Sequence, residues 1–274
     1  MRVLAIIGNH PRNLGLFKKL LDQKKIFVEG LILFKREDII PKPDKKLSKE
    51  LKKLWNIHFR KRYIAEKKYF NYNHDIIKGF SKKIEIYHES EFNKKKVINF
   101  VKKNKFDACF ITGIPIIKDP LLNNLPINTV NLHLGLIPFY KGAITMFWPF
   151  YFLEPAMAGT TYHIIDKFVD NGEILHNNIP KLEKGDGMHD VACKAIIQAH
   201  NDLPKVIKEI KKRVKHRIKP KKDYSLKYRG KLFIKADWKP EMLRVIYSYF
   251  KDRIVDAYLD NKIQTKRPKL IKLK

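Results

Sequence analysis

The chain opens with RVLAIIG (Arg2–Gly8), NLGLFKKLLDQ (Asn13–Gln23) and FVEGLILF (Phe27–Phe34), the three stretches that decide its fold class. The first and third are short and largely apolar, which is typical of buried parallel strands. The middle stretch places leucine and phenylalanine side chains on one helical face. A strand, a helix and a second strand in this order predict a doubly wound, mostly parallel α/β sheet.

The following residues continue the alternation of strands and helices. Further strands are predicted at Ile84–Tyr87, Phe106–Gly113, Thr129–Leu134, Thr160–Asp166 and Glu173–Ile179, and further helices at Glu91–Lys103, Gly142–Leu153 and Met188–Lys205. The polar, basic and aromatic stretch Lys35–Asn73 interrupts this pattern and is interpreted as an insertion, partly helical from Leu47 to Phe70. We therefore predict a main domain over residues 1–205 with an insertion at about 35–73.

The C-terminal part differs in composition. Ile207–Lys222 is rich in lysine and arginine and is interpreted as a basic linker or the end of a helix. Beyond it, short strands are predicted at Leu232–Ile234 and around Ile271, and a helix over Pro240–Leu259. Residues 206–274 are therefore expected to form a basic linker and a small C-terminal appendage.

Composition and charge limit the classes of protein to which the chain can belong. It has 274 residues, of which 44% are hydrophobic, which is enough for a packed core and argues against a disordered chain. It contains 58 lysines and arginines but only 28 aspartates and glutamates, which gives a formal charge of +30. Such a surface attracts polyanions or phosphorylated ligands, although a lysine-rich composition explains the same charge without any function.

The two cysteines, Cys109 and Cys193, lie in apolar stretches and are expected to be buried. They have neither the number nor the spacing of a disulfide framework or a metal site, so no metal is predicted. Met1–Gly8 is too short for a signal peptide, and no apolar run approaches the ~18 residues of a membrane span. We therefore expect a cytoplasmic protein without a membrane span.

Two polar side chains interrupt the apolar strand predicted at Thr129–Leu134. Asn131 and His133 are two residues apart, so they point to the same face of the sheet. Buried amide and imidazole groups need hydrogen-bond partners. They either satisfy buried backbone groups or belong to a binding site, and the tight loop Gly135–Gly142 and the loop residue Asp170 favour a site.

The formyltransferase family has a signature that resembles three elements of this chain: NLHLGLIP (Asn131–Pro138), KG (Lys141–Gly142) and DNG (Asp170–Gly172). Ile137 stands where the family has leucine, which is a mild departure. The resemblance covers Phe106–Leu175 and, more weakly, Met1–Pro204. The family includes methionyl-tRNA formyltransferase, glycinamide ribonucleotide transformylase and the amino-sugar N-formyltransferases, and the chain resembles the sugar enzymes most.

The resemblance implies a formyl donor and a mechanism. 10-Formyltetrahydrofolate would supply the formyl group, and an amine nitrogen would attack its carbon, so that an oxyanion develops. Asn131 and His133 would donate hydrogen bonds to this oxyanion. Asp170 would orient or charge His133 and help to move a proton from the amine to the leaving nitrogen. Asp166, which flanks the same loop, is the weaker alternative to Asp170.

The resemblance also implies where the folate lies. Its pterin would contact the segment after the fourth strand and the loop that contains Asp170, that is Ile116, Ile117, Lys118, Asp166 and Gly172. An ordinary connecting loop is the other interpretation of the first segment. No Gly-x-Gly-x-x-Gly pattern follows the first strand, so no dinucleotide cofactor is predicted.

The acceptor is expected to contact two further parts of the chain. Asn9, His10 and Arg12 link the first strand to the first helix and predict a phosphate site, or else an ordinary helix cap. Lys141 and Trp148 complete the predicted substrate-binding set, and the aromatic run around Trp148 resembles that of the small-acceptor enzymes. Ordinary core packing is the alternative for Trp148.

Three functions are compatible with these residues. The resemblance and the charge favour an amino-sugar N-formyltransferase that acts on a phosphorylated, nucleotide-linked amine. An enzyme like methionyl-tRNA formyltransferase would explain the basic stretch, but the tail after Lys222 is short for the barrel that the tRNA enzymes have. A non-catalytic folate- or nucleotide-binding protein would not need the three catalytic groups. The aromatic tail is also suited to pairing two subunits in a homodimer.

Overall fold

The computed structural model describes residues 1–35, 40–71, 74–78, 80–221 and 230–274. Its described strands are β1 (Arg2–Gly8), β2 (Phe27–Phe34), β3 (Lys83–Ile86), β4 (Ala108–Thr112), β5 (Thr129–His133), β6 (Tyr140–Gly142), β7 (Thr160–Ile164), β8 (Ile174–Asn178) and β9 (Lys231–Phe233). Its described α-helices are α1 (Pro11–Leu21), α2 (Lys49–Tyr69), α3 (Lys95–Asn104), α4 (Trp148–Tyr151), α5 (Met188–His216) and α6 (Ile254–Leu259).

Seven strands form the main sheet in the order β3-β2-β1-β4-β5-β7-β8. The first five in this order are parallel, and β7 runs antiparallel to both β5 and β8. From β1 the chain moves first to one side of the sheet and then to the other. This confirms the doubly wound, mostly parallel α/β sheet, and such sheets bind ligands outside the carboxyl ends of their strands.

Different helices cover the two faces of the sheet, because successive strand residues point in opposite directions. On β1, Val3, Ala5 and Ile7 contribute to a core shared with α1 and α5. Leu4 and Ile6 face the other way, into a core shared with α3. All five side chains are fully buried. Burying one valine, leucine or isoleucine stabilises a fold by about 1.5–3 kcal/mol.

The predicted insertion contains α2, a long helix as expected. The Ser48 side chain caps its first turn by accepting a hydrogen bond from the Leu51 N–H (3.2 Å). Leu51 and Leu54 pack into a third core cluster together with residues of the loop that follows β5. The helix therefore shares a hydrophobic core with that loop. Residues 36–39 and 72–73 of the insertion lie outside the described residues.

Helix α5 extends beyond the end predicted at Lys205. The chain stays helical to His216, because Val206, Ile207 and Ile210 continue the apolar stripe that packs on the sheet. Most of the basic stretch is therefore helix and not linker. Within the described part of the chain no helix, α5 included, is long and apolar enough to cross a membrane.

Two other predicted helices are wrong over most of their length. Of Gly142–Leu153 only α4 is α-helical, because Gly142 and Ile144 have φ angles of 88° and 59°, which a right-handed helix excludes. Pro240–Leu259 contains a 3-10 turn, a π-helix at Arg244–Tyr249 and α6. Two residues with positive φ separate the π-helix from α6, so no continuous helix forms.

The C-terminal region packs on the main domain, and the backbones of the two regions pair near β6 and near β8. Strand β9 pairs in parallel with β6. Near the chain end, the Ile271 carbonyl accepts a hydrogen bond from the Asn177 backbone N–H (2.7 Å), so the tail lies along β8. The division into residues 1–205 and 206–274 stays a prediction, and residues 222–229 lie outside the described residues.

Candidate active site

Strand register brings Asn131 and His133 together with residues of β7. In the antiparallel pair of β5 and β7, Asn131 lies opposite His163 and His133 lies opposite Thr161. Directly opposite residues point to the same face. Asn131 Nδ2 lies 3.1 Å from His163 Nε2. His163 Nδ1 lies 3.2 Å from the carbonyl oxygen of Ile164, which only accepts, so Nδ1 carries a proton and Nε2 is the ring nitrogen that faces the Asn131 amide.

Asp170 joins this group from the loop between β7 and β8. Its Oδ2 lies 3.3 Å from His133 Nδ1 and accepts a hydrogen bond from the Gly142 N–H (2.7 Å). Its Oδ1 lies 3.4 Å from His163 Nε2 and 3.5 Å from Asn131 Nδ2. The structure thus brings together the three residues predicted to be catalytic and adds His163, which the sequence analysis missed. The available signal was a polar histidine within the apolar strand predicted at Thr160–Asp166.

Two glycines of the signature are required by close packing. At Gly172 a Cβ would overlap the carbonyl oxygen of Ile164, so only glycine lets the loop return to the sheet here. Two residues earlier, Asp170 adopts a left-handed conformation (φ 48°), which Asp tolerates better than most residues. At Gly135 a Cβ would lie 2.5 Å from His133 Nε2. The two signature glycines are therefore needed for close packing around the site, in addition to the polar residues that carry the chemistry.

Both ring nitrogens of His133 are engaged. Nε2 lies 2.9 Å from the carbonyl oxygen of Tyr140, which only accepts, so Nε2 carries a proton. Nδ1 faces Asp170 Oδ2 and is the position where the ring gains or loses its second proton. A hydrogen bond from Nε2 to a ligand therefore requires the ring to leave Tyr140, which the donor role expected from the sequence did not include.

Burial and neighbouring charges shift the pKa values of His133 and Asp170 in opposite directions. Burial lowers the pKa of His133, and the Asp170 carboxylate offsets only part of this effect. Burial by itself raises the pKa of Asp170, but the two imidazoles and the Gly142 N–H outweigh it and hold that pKa well below its ordinary value. The site therefore favours an ionised carboxylate beside an imidazole that can accept a proton at Nδ1.

The residues predicted to bind the folate lie on both sides of β5. Ile116, Ile117 and Lys118 follow β4, whereas Asp166 and Gly172 follow β7, and these two strands flank β5. Ile116 and Lys118 are exposed, and Ile117 packs partly on the core beneath α3. Asp166 is exposed and accepts a backbone hydrogen bond within its own loop (2.8 Å). A role of these residues in folate binding stays a prediction.

The residues predicted to hold a phosphate lie where β1 leads into α1. Asn9 is half-buried and His10 is buried. Arg12 already forms an ion pair with Glu66, near the C-terminal end of α2. This pairing ties the insertion helix to α1, so Arg12 is shared between a structural contact and the predicted phosphate site.

An unpartnered amide lies at the same helix N-terminus. Asn13 is 2% exposed, and its Nδ2 has no hydrogen-bond partner among the described residues. Gly8 and Gly113 lie against it, and a Cβ on either residue would crowd this amide. A buried donor at the positive end of a helix suits an anion. Sequence analysis missed Asn13, although asparagine in a first helical turn was the available signal.

Lys141 and Trp148 are both buried. Lys141 lies on β6, is 9% exposed and has no ion-pair partner within the described ranges. Trp148 is 1% exposed and stacks on Phe233 of β9, with ring centroids 4.4 Å apart. The indole is enclosed in the core, where Phe233 and Phe152 stack against it, which favours the alternative of ordinary core packing, and a contact between Trp148 and a substrate stays a prediction.

Comparison with known proteins shows similarity to formyltransferases. WlaRD, a sugar 3N-formyl transferase crystallised in the presence of dTDP and 5-N-formyl-THF, matches with a TM-score of 0.55 and 16% identity, over 99% of this chain and 85% of its own. A sugar N-formyltransferase from a Shewanella species matches with a TM-score of 0.53 and 15% identity, over 86% and 78%. Phosphoribosylglycinamide formyltransferase from Anaplasma phagocytophilum matches with a TM-score of 0.53 and 16% identity, over 78% and 88%.

At these identities the solved structures establish the fold alone, and no curated protein matches the chain in sequence. The family is shown separately, because the formyl transferase model matches residues 1–207. That range contains the whole main sheet and the polar cluster around Asp170. The chain therefore belongs to the formyl transferase family and is a formyltransferase.

Proposed function

We propose that this enzyme transfers the formyl group of 10-formyltetrahydrofolate to the amine of a nucleotide-linked amino sugar. Formyl transfer rests on the convergence of Asn131, His133, His163 and Asp170 at the carboxyl edge of the sheet. The amino sugar is favoured by the extent of the similarity. The WlaRD structure matches 99% of this chain, including its C-terminal region, whereas the Anaplasma enzyme matches 78%.

In this proposal the Asn131 amide holds the formyl oxygen. His163 accepts one of its two N–H groups, which fixes the plane of the amide. The other N–H lies only weakly against Asp170, at 3.5 Å, and is available for the developing oxyanion. A preorganised donor of this kind contributes about 100- to 1,000-fold in rate. His133 supplies a second donor once its Nε2 leaves the Tyr140 carbonyl.

Asp170 and His133 then handle the proton. The attacking amine must lose a proton while the leaving nitrogen gains one, and one imidazole beside one carboxylate suits both steps. Nδ1 of His133 takes the proton from the amine while facing Asp170 Oδ2, which stabilises the imidazolium, and the imidazolium then gives a proton to the leaving nitrogen of tetrahydrofolate. The carboxylate is itself held in place by the Gly142 N–H.

The two substrates are proposed to contact different segments at the carboxyl edge of the sheet. The exposed apolar side chains Ile116 and Phe168 lie on the segments that flank β5 and are proposed to cover the pterin. The acceptor phosphate is proposed to bind at the start of α1, where Asn13 offers its unpartnered amide. Only β4 separates β1 from β5, so this anion site and the strand of Asn131 lie two strands apart at the carboxyl edge of the sheet.

A tRNA acceptor is the second candidate. The formal charge of +30 favours it, because a strongly basic surface binds the phosphates of nucleic acids. Such binding weakens steeply as salt rises, whereas binding of one nucleotide sugar depends on salt far less. Salt dependence therefore separates the two candidates.

The deciding experiment measures release of tetrahydrofolate from 10-formyltetrahydrofolate against a panel of acceptors. The panel holds dTDP- and UDP-linked amino sugars, glycinamide ribonucleotide and methionyl-tRNA, and His133→Ala is the inactive control. We expect turnover with a nucleotide-linked amino sugar that the variant lacks. Turnover with glycinamide ribonucleotide alone would overturn the sugar assignment, and turnover with methionyl-tRNA alone would move the enzyme to translation.

A further inference from the structure

The row of residues that contains His133 continues across the sheet beyond the site. His133 on β5 lies opposite Thr161 on β7, which in turn lies opposite Asn177 on β8. Side chains in such a row point to one face. Thr161 is fully buried and Asn177 is 2% exposed. The formyl transfer described above uses neither side chain, so their burial beside the site needs its own explanation.

Thr161 holds the loop that follows His133. The Ile137 N–H and the Asn177 side-chain amide both donate to the Thr161 Oγ1, and each donor nitrogen lies 3.0 Å from this oxygen. Because both groups are donors only, the hydroxyl proton points to the carbonyl oxygen of Gly135, 2.8 Å away. A single buried hydroxyl therefore uses its donor and both acceptor positions, and two of these bonds hold the loop.

Asn177 connects this loop to the C-terminal tail. Its Nδ2 donates to Thr161 and lies 3.4 Å from the Ile137 carbonyl oxygen. Its Oδ1 accepts from the Ile271 N–H (3.0 Å), and its backbone N–H donates to the Ile271 carbonyl (2.7 Å). A continuous set of hydrogen bonds therefore runs from the tail through two buried side chains to the loop.

The loop bears directly on the imidazole of His133. The backbone of Gly135 packs so closely that a Cβ there would lie 2.5 Å from His133 Nε2. The same loop leads into Tyr140, whose carbonyl accepts from that nitrogen. Displacing the loop would therefore move both the Gly135 backbone that packs against the imidazole and the Tyr140 carbonyl that accepts its hydrogen bond. A misplacement of about 1 Å in an active site can lower the rate about 100-fold.

We propose that Thr161 and Asn177 are positioning residues for formyl transfer, and that the backbone of Ile271 in the C-terminal tail completes their hydrogen-bond relay. They touch no substrate and act by holding the loop that fixes the orientation of His133 and the proton on its Nε2. The proposal concerns the formyl-transfer centre, so it does not depend on which acceptor the enzyme uses.

The test compares two neighbouring threonines. Thr161→Val keeps the shape of the side chain but removes the hydroxyl, and Thr161→Ser keeps the hydroxyl. Thr160→Val is the matched control, because Thr160 is the preceding residue on β7, is equally buried, and its Oγ1 has no hydrogen-bond partner among the described residues. The readout is ¹⁵N NMR of histidine-labelled protein, in which the ring signals of His133 are assigned by their loss in His133→Asn.

We expect Thr161→Val to shift the ring ¹⁵N signals of His133, Thr161→Ser to restore them and Thr160→Val to leave them in place. With an acceptor from the panel, turnover should fall about 10- to 100-fold in Thr161→Val with little change in the KM for the folate. Unchanged His133 signals in Thr161→Val, or equal shifts in both valine variants, would overturn the proposal. The NMR readout needs no acceptor, so it stands even if the sugar assignment fails.

A second pair of variants tests the tail and remains informative if Thr161→Val does not fold. Ile271→Pro removes the N–H that donates to Asn177 Oδ1. Lys272→Pro is its control, because its N–H makes no backbone hydrogen bond within the described residues. Only Ile271→Pro should shift the His133 signals. Equal effects of the two proline variants, or none from either, would contradict a role of the tail in the relay.

Discussion

At the residue scale, Asp170 is the side chain on which the site converges. Each of its carboxylate oxygens faces an imidazole nitrogen, of His133 on one side and of His163 on the other. The Gly142 N–H donates to the same carboxylate, and the Asn131 amide lies nearby. Its negative charge therefore supports the protonated form of His133, which no neutral side chain can do equally well.

Replacing Asp170 by asparagine tests this charge without changing the size of the side chain. We expect Asp170→Asn to lower kcat about 100- to 10,000-fold, the range attributed to a group in acid–base catalysis. Folate release is the measurement. Asp166→Asn is the matched control, since Asp166 is exposed on the same loop and asparagine keeps its hydrogen-bond acceptor. A larger loss in Asp166→Asn would move the catalytic acid to that residue.

At the element scale, the loop between β7 and β8 determines where Asp170 lies. Two conformational requirements lie within three residues of this loop. Asp170 has a positive φ, and Gly172 packs against the Ile164 carbonyl without room for a Cβ. The loop is short, so a change at one position is transmitted to the other. Its conformation is therefore as much a part of the site as the carboxylate.

Gly172→Ala should disturb both stability and activity. We expect the free energy of unfolding to fall by about 1–3 kcal/mol, the usual cost of overpacking a tight site, and turnover to fall with it. Urea denaturation and folate release measure the two effects. Gly185→Ala is the comparison, because Gly185 has a φ of 89° but no atom within 4 Å of a Cβ. It should cost about 1 kcal/mol and leave turnover unchanged. Equal losses of activity would contradict this account.

The elements also show why some of the chain was predicted and some was not. The strands of the main sheet were predicted well, because fully buried strands are continuous apolar runs. The helix predicted over Gly142–Leu153 failed, because its apolar residues pack around backbone turns at Gly142 and Ile144 that no periodicity reports. The end of α5 was placed too early, because the charged residues Lys208 and Glu209 interrupt the apolar stripe that the helix buries.

At the scale of the whole molecule, buried histidines couple stability to pH. Burial lowers the pKa of His58 to about 3 and of His200 to about 4, and it also lowers the pKa of His189. All three rings are neutral in the folded protein, whereas an unfolded histidine titrates near ~6.5. Unfolding therefore takes up protons below that pH, and stability is present above it and lost as pH falls.

The free energy of unfolding should therefore decrease as pH falls from about 6.5 towards 4, by up to about 1.4 kcal/mol per pH unit for each such histidine. Urea denaturation at pH 7 and pH 5 measures this decrease. His200→Phe should reduce it, because His200 is buried beside Phe70 and its Nε2 has no partner among the described residues. His216→Gln is the control, since His216 is exposed. Equal pH dependence in both variants would contradict the assignment to buried rings.

The sequence by itself determined the sheet, the family resemblance and three polar residues of the site. Asn131 and His133 were recognisable because strand alternation places them on one face, and Asp170 because a signature aligned it. Only the tertiary structure added His163 and Asn13, moved Trp148 into the core and joined the C-terminal tail to β8. The physical reason is the distance along the chain between the residues involved. Periodicity and motifs report local backbone geometry, whereas partners across strands depend on register and on how distant segments pack.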